Sequence, residues 1–440
     1  MKKILSASLI YITFGSTTAM AAALEGFEIN GFLSIGAGWH NAENLTSGQE
    51  LIYNSFIRRR PSYEEDSNVG IQITKQLRED LSITTQFLAE AAYEWEVEAV
   101  WAFLKWEPND HWQLRAGRVR TNPYMLSDVV NVGYAYPWVR PPEEVYSQVP
   151  SSFSNLTGVD AKFKMEMFEN DFSLTAFYGA TSTEFGFPTN LPLFAGLNKT
   201  IFDTVRLRLR DMIAFSMKYG NENFSVRAGY QTTRLTLDPN GGTAMENINA
   251  ILNMMAPGIP AFGIPPIGQD YVNYFTANNV SASFGGIGYQ FDWKNVVSMG
   301  EIVKRTVASP IISDAIGWYL MGGYHVKQFL PHITFARERM ADNKVRRFNG
   351  AINSGFQLLS GSQQTLDQVA QIMVNTGPNF EGGVGSQSSV TLGLRWDVYA
   401  GIAIKGEYKH IHPDNLTPGL FDYAPWSSAN IYSLALDAVM

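Results

Sequence analysis

From Phe27 to the last residue the chain alternates apolar and polar side chains in stretches of about ten residues, the length that crosses a bilayer as a tilted strand. In the final stretch Tyr432, Leu434, Leu436, Ala438 and Met440 share one face, and Ser433, Ala435 and Asp437 the other. A strand repeats every two residues, so each stretch has one greasy side and one wet side. The third stretch sets Leu81, Ile83, Phe87 and Ala89 against Ser82, Thr84, Gln86 and Glu90. The sixth sets Val159, Ala161, Phe163 and Met165 against Asp160, Lys162, Lys164 and Glu166. In the eighth, Val205, Leu207 and Leu209 oppose Arg206, Arg208 and Arg210, and Ile213, Phe215, Met217 and Tyr219 continue the apolar parity. Sandwich strands run to about 5–6 residues. Longer ones fit an all-β fold, a transmembrane antiparallel barrel.

Punctuation supports closure. Short turns near Leu77–Asp80, Glu107–Asp110, Phe168–Asp171, Gly220–Asn223, Asp292–Asn295, Val326–Leu330 and Asp397–Ala400 alternate with connections of variable length. One end of each hairpin then faces the periplasm and the other the outside, and the segments number about 16 strands. Aromatics gather at strand ends, at Trp101, Trp106, Trp112, Tyr178, Tyr219, Trp293 and Trp396, as interfacial girdles do. The uncharged stretch Ala250–Gly268 is broken by four prolines and reads as a loop.

Residues 1–21 have the parts of an export signal: Lys2 and Lys3, an apolar run from Ile4 to Phe14, and Ala19-Met20-Ala21 at the cleavage site. Residues 22–440 then form one barrel domain. Removing the two lysines takes the formal charge from −8 to −10 (−8 minus 2), which gives no support for nucleic-acid binding. Charged residues make up 17% of the chain, fewer than the ~25% of soluble domains. A mean hydropathy of −0.10 excludes a polytopic helical membrane protein. There is no cysteine, so disulfides and thiol chemistry are absent.

A cylinder of this size leaves an aqueous lumen that inward side chains cannot fill. The connection Thr121–Ser154 carries three prolines and three tyrosines between Val132 and Tyr146, stiff enough to fold inward and pack on the wall. Its Asp128, Tyr134, Tyr136, Arg140, Glu143 and Glu144 are the candidate constriction residues, facing wall arginines Arg115, Arg206, Arg208 and Arg210. Lys162, Lys164, Arg227, Arg395 and Lys405 also fall on expected inner faces. Guanidiniums rising along a wall favour anions. The six histidines form no Ser/His constellation, and His410 and His412 lack further metal ligands nearby, so no enzyme, cofactor or metal site is expected. The connection Ala341–Gln387 holds a helix-like stretch, Thr365–Val374, which leaves open a surface-attachment role with the barrel as anchor.

The run Gly117-Arg118-Val119-Arg120 through Gly133-Tyr134-Ala135-Tyr136-Pro137-Trp138-Val139-Arg140-Pro141-Pro142 resembles a segment of Gram-negative outer-membrane porins, general and phosphate-selective-like. Val390–Trp396, continuing through Lys405–Tyr408, is similar to their last hairpin but one, and Ile431–Asp437 to their closing strand. The resemblance implies a sixteen-strand homotrimer in the cell outer membrane, surrounded by lipid. It would form a water-filled pore for ions and small hydrophilic solutes, with the third loop narrowing the lumen. A channel specific for phosphate, carboxylates or short sugars would share the same description. The family commonly ends in Phe and this chain in Met440, which weakens the expected signal to the barrel-assembly machinery.

Overall fold

The computed structural model describes residues 26–43, 51–149 apart from 55, 155–189, 201–239, 268–309, 314–340, 386–414 and 428–440, with 253, 256–257, 312 and 419–421 between them. The expected signal segment and the stretch Thr365–Val374 lie outside the described residues, as does most of Ala250–Gly268.

Sixteen strands pair antiparallel with their chain neighbours, and β1 (Phe27–His40) pairs with β16 (Ala429–Val439) to close the cylinder. Between them run β2 (Asn68–Arg78), β3 (Leu81–Glu90), β4 (Val97–Asn109), β5 (Trp112–Arg120), β6 (Asn155–Met167), β7 (Asn170–Thr189) and β8 (Ile201–Gly220). They continue with β9 (Phe224–Pro239), β10 (Val280–Trp293), β11 (Val296–Val307), β12 (Ala315–Tyr324), β13 (Phe329–Met340), β14 (Gln387–Tyr399) and β15 (Ile402–Pro413). At the seam Gly31 and Met440 exchange both backbone hydrogen bonds, 3.0 and 2.9 Å. Closure removes every strand edge, as the bilayer core requires. No described helix is long and apolar enough to cross a membrane.

The short turns fall where the sequence places them. At the β6–β7 turn both Phe168 and Glu169 are left-handed (φ 54° and 61°), a twist that suits a two-residue hairpin between right-twisted strands. Along the strands, side chains such as Leu104, Val159, Ile302, Leu320, Phe335, Leu394 and Leu434 are exposed on the outer face, while their alternates are largely buried. That is the surface a lipid-embedded barrel shows. Trp112, Trp293, Tyr324 and Trp396 mark its edge near the short turns. The connection expected over Thr181–Asp203 is shorter than that span, because β7 runs on to Thr189 and β8 begins at Ile201.

Candidate functional site

Residues 121–149 run against the inner wall, held by side chains from strands far away in sequence. The loop begins where the Thr121 hydroxyl donates to Gln231 on β9 (3.2 Å). On β11, Glu301 accepts the Met125 amide (3.0 Å) and the Tyr146 hydroxyl (2.8 Å), which ties both arms of the loop to one carboxylate. Arg227 on β9 pairs with Asp128 at 2.6 Å.

The Tyr-Pro-Trp segment is irregular backbone, so its carbonyls need donors from outside. Lys405 on β15 donates to the carbonyls of Gly133 (2.6 Å) and Trp138 (2.7 Å), and pairs with Asp437 (2.8 Å). Arg395 on β14 donates to the carbonyls of Tyr134 (2.7 Å) and Tyr136 (3.0 Å). Trp138 is buried; its indole N–H donates to Thr334 on β13 (2.8 Å) and its ring meets Tyr319 edge-on. The fit is tight. A Cβ on Gly133 would meet the Asp437 carboxylate at 2.1 Å, and one on Gly317 of β12 would meet the Glu144 carbonyl at 2.2 Å.

The last third of the loop is a charge cluster. Arg140 pairs with Asp66 of the first loop and with Glu143 (3.2 Å). On β15, Lys409 pairs with Glu143 and with Glu144 (3.1 Å); on β14, Gln387 donates to Glu144 (2.7 Å) and to the Tyr53 hydroxyl (3.1 Å). Burial works against ionising Glu143, yet Lys409 and Arg140 outweigh it and hold the carboxyl below its ordinary range. Desolvation likewise opposes the charge on Asp128. The Arg227 guanidinium prevails and lowers that carboxyl to about 2.

The candidate residues therefore separate into three groups. Asp128, Arg140, Glu143 and Glu144 are brought together with the wall, but as partners of wall and first-loop charges rather than as acids facing an empty lumen. Tyr136 is buried against the wall, and the Tyr134 ring lies under the Arg395 guanidinium at 4.7 Å. Arg115 is inward, pairing with Asp160 on the neighbouring strand at 2.7 Å.

The third group corrects an expectation: Arg206, Arg208 and Arg210 do not line the lumen. Leu207 and Leu209 are the inward side chains, 2% and 5% exposed, packed with Leu235 and Leu237 of β9. Further along β8, Ile213 and Phe215 are outward, 42% and 51% exposed. A bulge between Arg210 and Ile213 intervenes, with Asp211 left-handed (φ 50°) and the register shifted against both β7 and β9. One extra residue moves every later side chain to the opposite face. The arginines therefore face outward.

Three wall lysines, Lys105, Lys218 and Lys409, were not expected from the sequence. Lys409 repeats the parity of Lys405 and Glu407, a period-two signal that was there to read. Lys218 pairs in register with Arg227 and so shares its inner face. Across β4–β8 the inner wall carries Lys105, Arg115, Lys162, Lys164 and Lys218, balanced there by Glu107, Asp160, Glu166 and Asp171. Among the described residues no carboxylate pairs with Lys162 or Lys218, and Lys218 remains exposed although it points inward.

No protein-family model matches the chain, and no curated protein matches it in sequence. Solved structures do. OmpF of Salmonella typhi, solved in complex with daunomycin, superposes with a TM-score of 0.51 at 11% identity, covering 94% of this chain and 97% of that one. An anion-selective porin from Comamonas acidovorans gives 0.50 at 8% identity, covering 94% and 99%. OmpT expressed in the outer membrane of Vibrio cholerae gives 0.50 at 10% identity, covering 94% and 97%. With its sixteen-strand closure and apolar outer belt, the chain is an outer-membrane β-barrel with the fold of the Gram-negative porins.

Proposed function

We propose that the barrel is a passive channel for ions and small hydrophilic solutes, narrowed by residues 121–149 and modestly selective for anions. One observation carries this: Lys218 shares the inner face of Arg227 and stays in solvent, two strands from Lys162. An inward residue in contact with water means a wet lumen, and unpaired ammonium groups there attract anions. The acids of the loop add little opposing field, because Asp128, Glu143 and Glu144 are each paired. The structural likeness to an anion-selective porin supports the same reading. The work is transport rather than catalysis. Cleavage after residue 21, assembly as a homotrimer and recognition of the C-terminal strand by the assembly machinery complete the proposal.

The test is reversal potential in planar bilayers under a salt gradient. Anion preference is expected, and Lys162→Gln with Lys218→Gln should reduce it. A clear cation preference would reject the selectivity, and absence of single-channel steps would favour the anchor reading. A saturable block by one solute class would instead indicate a substrate-specific channel. Tyr136 is not available as a sugar-stacking surface, since its ring is buried.

A further inference from the structure

Above the apolar belt, the outer surface of β8 to β13 turns basic. Antiparallel register partners share a face. Arg210 stands opposite Arg234, Lys304 opposite Ile316, Ile316 opposite Arg339, and Trp318 opposite Arg337. Ile316 and Trp318 are exposed on the outside, whereas the alternates Leu209, Leu235, Val303 and Glu338 are buried, so these cations face away from the lumen. The bulge at Asp211 is what turns the β8 arginines this way.

Part of this surface is neutralised. Arg208 pairs with Asp238, Arg337 pairs with Asp414 at 2.7 Å, and Asp211 accepts the Tyr178 hydroxyl. Among the described residues, however, no carboxylate pairs with Arg210, Arg234, Lys304 or Arg339. Like charges directly opposite across two strands repel, and Arg210 against Arg234 is such a pair. An anion between them would turn that repulsion into attraction.

Height decides which anion. These residues stand at comparable distances up their strands from the short turns, roughly ten residues. At a tilt of about 40° that is a rise of about 25 Å, the full height of the apolar band. They therefore reach the polar headgroups of the outward leaflet. We infer that this surface docks phosphate-bearing lipid headgroups, the planar guanidiniums of Arg210 and Arg234 gripping phosphate oxygens and Lys304 and Arg339 extending the contact along the leaflet. The inference rests on the barrel spanning the membrane and is independent of what passes through it.

The full chain, refolded in neutral detergent micelles, would be titrated with diphosphoryl lipid A and followed by native mass spectrometry, with dephosphorylated lipid A as control. The phosphorylated form should bind preferentially. Arg210→Gln with Arg234→Gln should weaken it roughly tenfold or more, as losing two charges near a headgroup layer implies, and channel conductance should not change. Lys304→Gln with Arg339→Gln is an independent second pair, so that misfolding of one variant does not decide the result. Equal binding of the two lipids, or undiminished binding in both variants, would overturn the inference. So would displacement by inorganic pyrophosphate at equal concentration, which would mark a free-anion site. Self-association of barrels that depends on these same residues would assign the surface to a second copy and would also reject it.

Discussion

Lys409 holds two carboxylates, Glu143 and Glu144, at the end of the loop, and all three side chains are buried. A buried ion pair adds little over a well-packed apolar pair, but removing one partner leaves an unpaired buried charge. Lys409→Met leaves Glu144 without a cation and Glu143 held by Arg140 alone. The expected cost is about 3–5 kcal/mol on that principle, read as a lower midpoint of thermal unfolding in detergent, with noisier open-channel current as the loop end loosens. Glu144→Gln in the same background should recover part of the loss, because it removes the orphaned charge. An unchanged midpoint would mean that water reaches the cluster. The Asp128–Arg227 pair behaves differently with pH. Its carboxyl is lowered to about 2 in the folded chain, against an ordinary value of about 3.9. The pair's contribution is therefore complete above pH 4 and disappears as pH falls through 2. Asp128→Asn should flatten the acid limb of the stability profile between those values, measured by tryptophan fluorescence.

At the scale of elements, strand parity and turn position were legible because both are local. Side chains two residues apart must share a face, and a short turn must carry residues tolerant of left-handed backbone. The β8 arginines show where this stops. Val205, Leu207, Leu209, Ile213, Phe215 and Met217 keep one parity, so the alternation resumes unshifted and hides the extra residue; only the charged Asp211 on that parity, and Met212 beside Ile213, hint at it. The loop's path was legible only as stiffness. Its anchors join Trp138 to Thr334 and Tyr134 to Arg395, partners set together by closure of the barrel rather than by any nearby pattern. The bulge gives its own prediction. Asp211→Val keeps the extra residue but puts a β-branched side chain on its left-handed backbone, so the folded fraction on heat-modifiable electrophoresis should fall, whereas Asp211→Gly should fold normally. Deleting Asp211 should also be tolerated, because it leaves Leu209 and Ile213 three residues apart and so on the opposite faces they already occupy, in register with both neighbours. Loss of folding in the deletion would mean that the bulge does more than absorb one residue.

For the whole molecule, net charge and local field point in opposite directions. The chain carries a formal −8, yet the lumen wall across β4–β8 bears an excess of lysine and arginine over acid. A permeating ion responds to the wall within a screening length and not to the total. That length is about 10 Å at 0.1 M salt and about 3 Å at 1 M. At the lower concentration the fields of Lys162, Lys218 and their neighbours extend well out from the wall; at the higher one they act only on ions that touch it. Anion preference should therefore be clear in gradients centred near 0.1 M and should shrink toward the ratio of free mobilities near 1 M. In the Lys162→Gln, Lys218→Gln double variant the two conditions should differ much less. A preference that stays constant with salt would place selectivity in contact binding or pore width, and the wall charges would then have no part in choosing the ion.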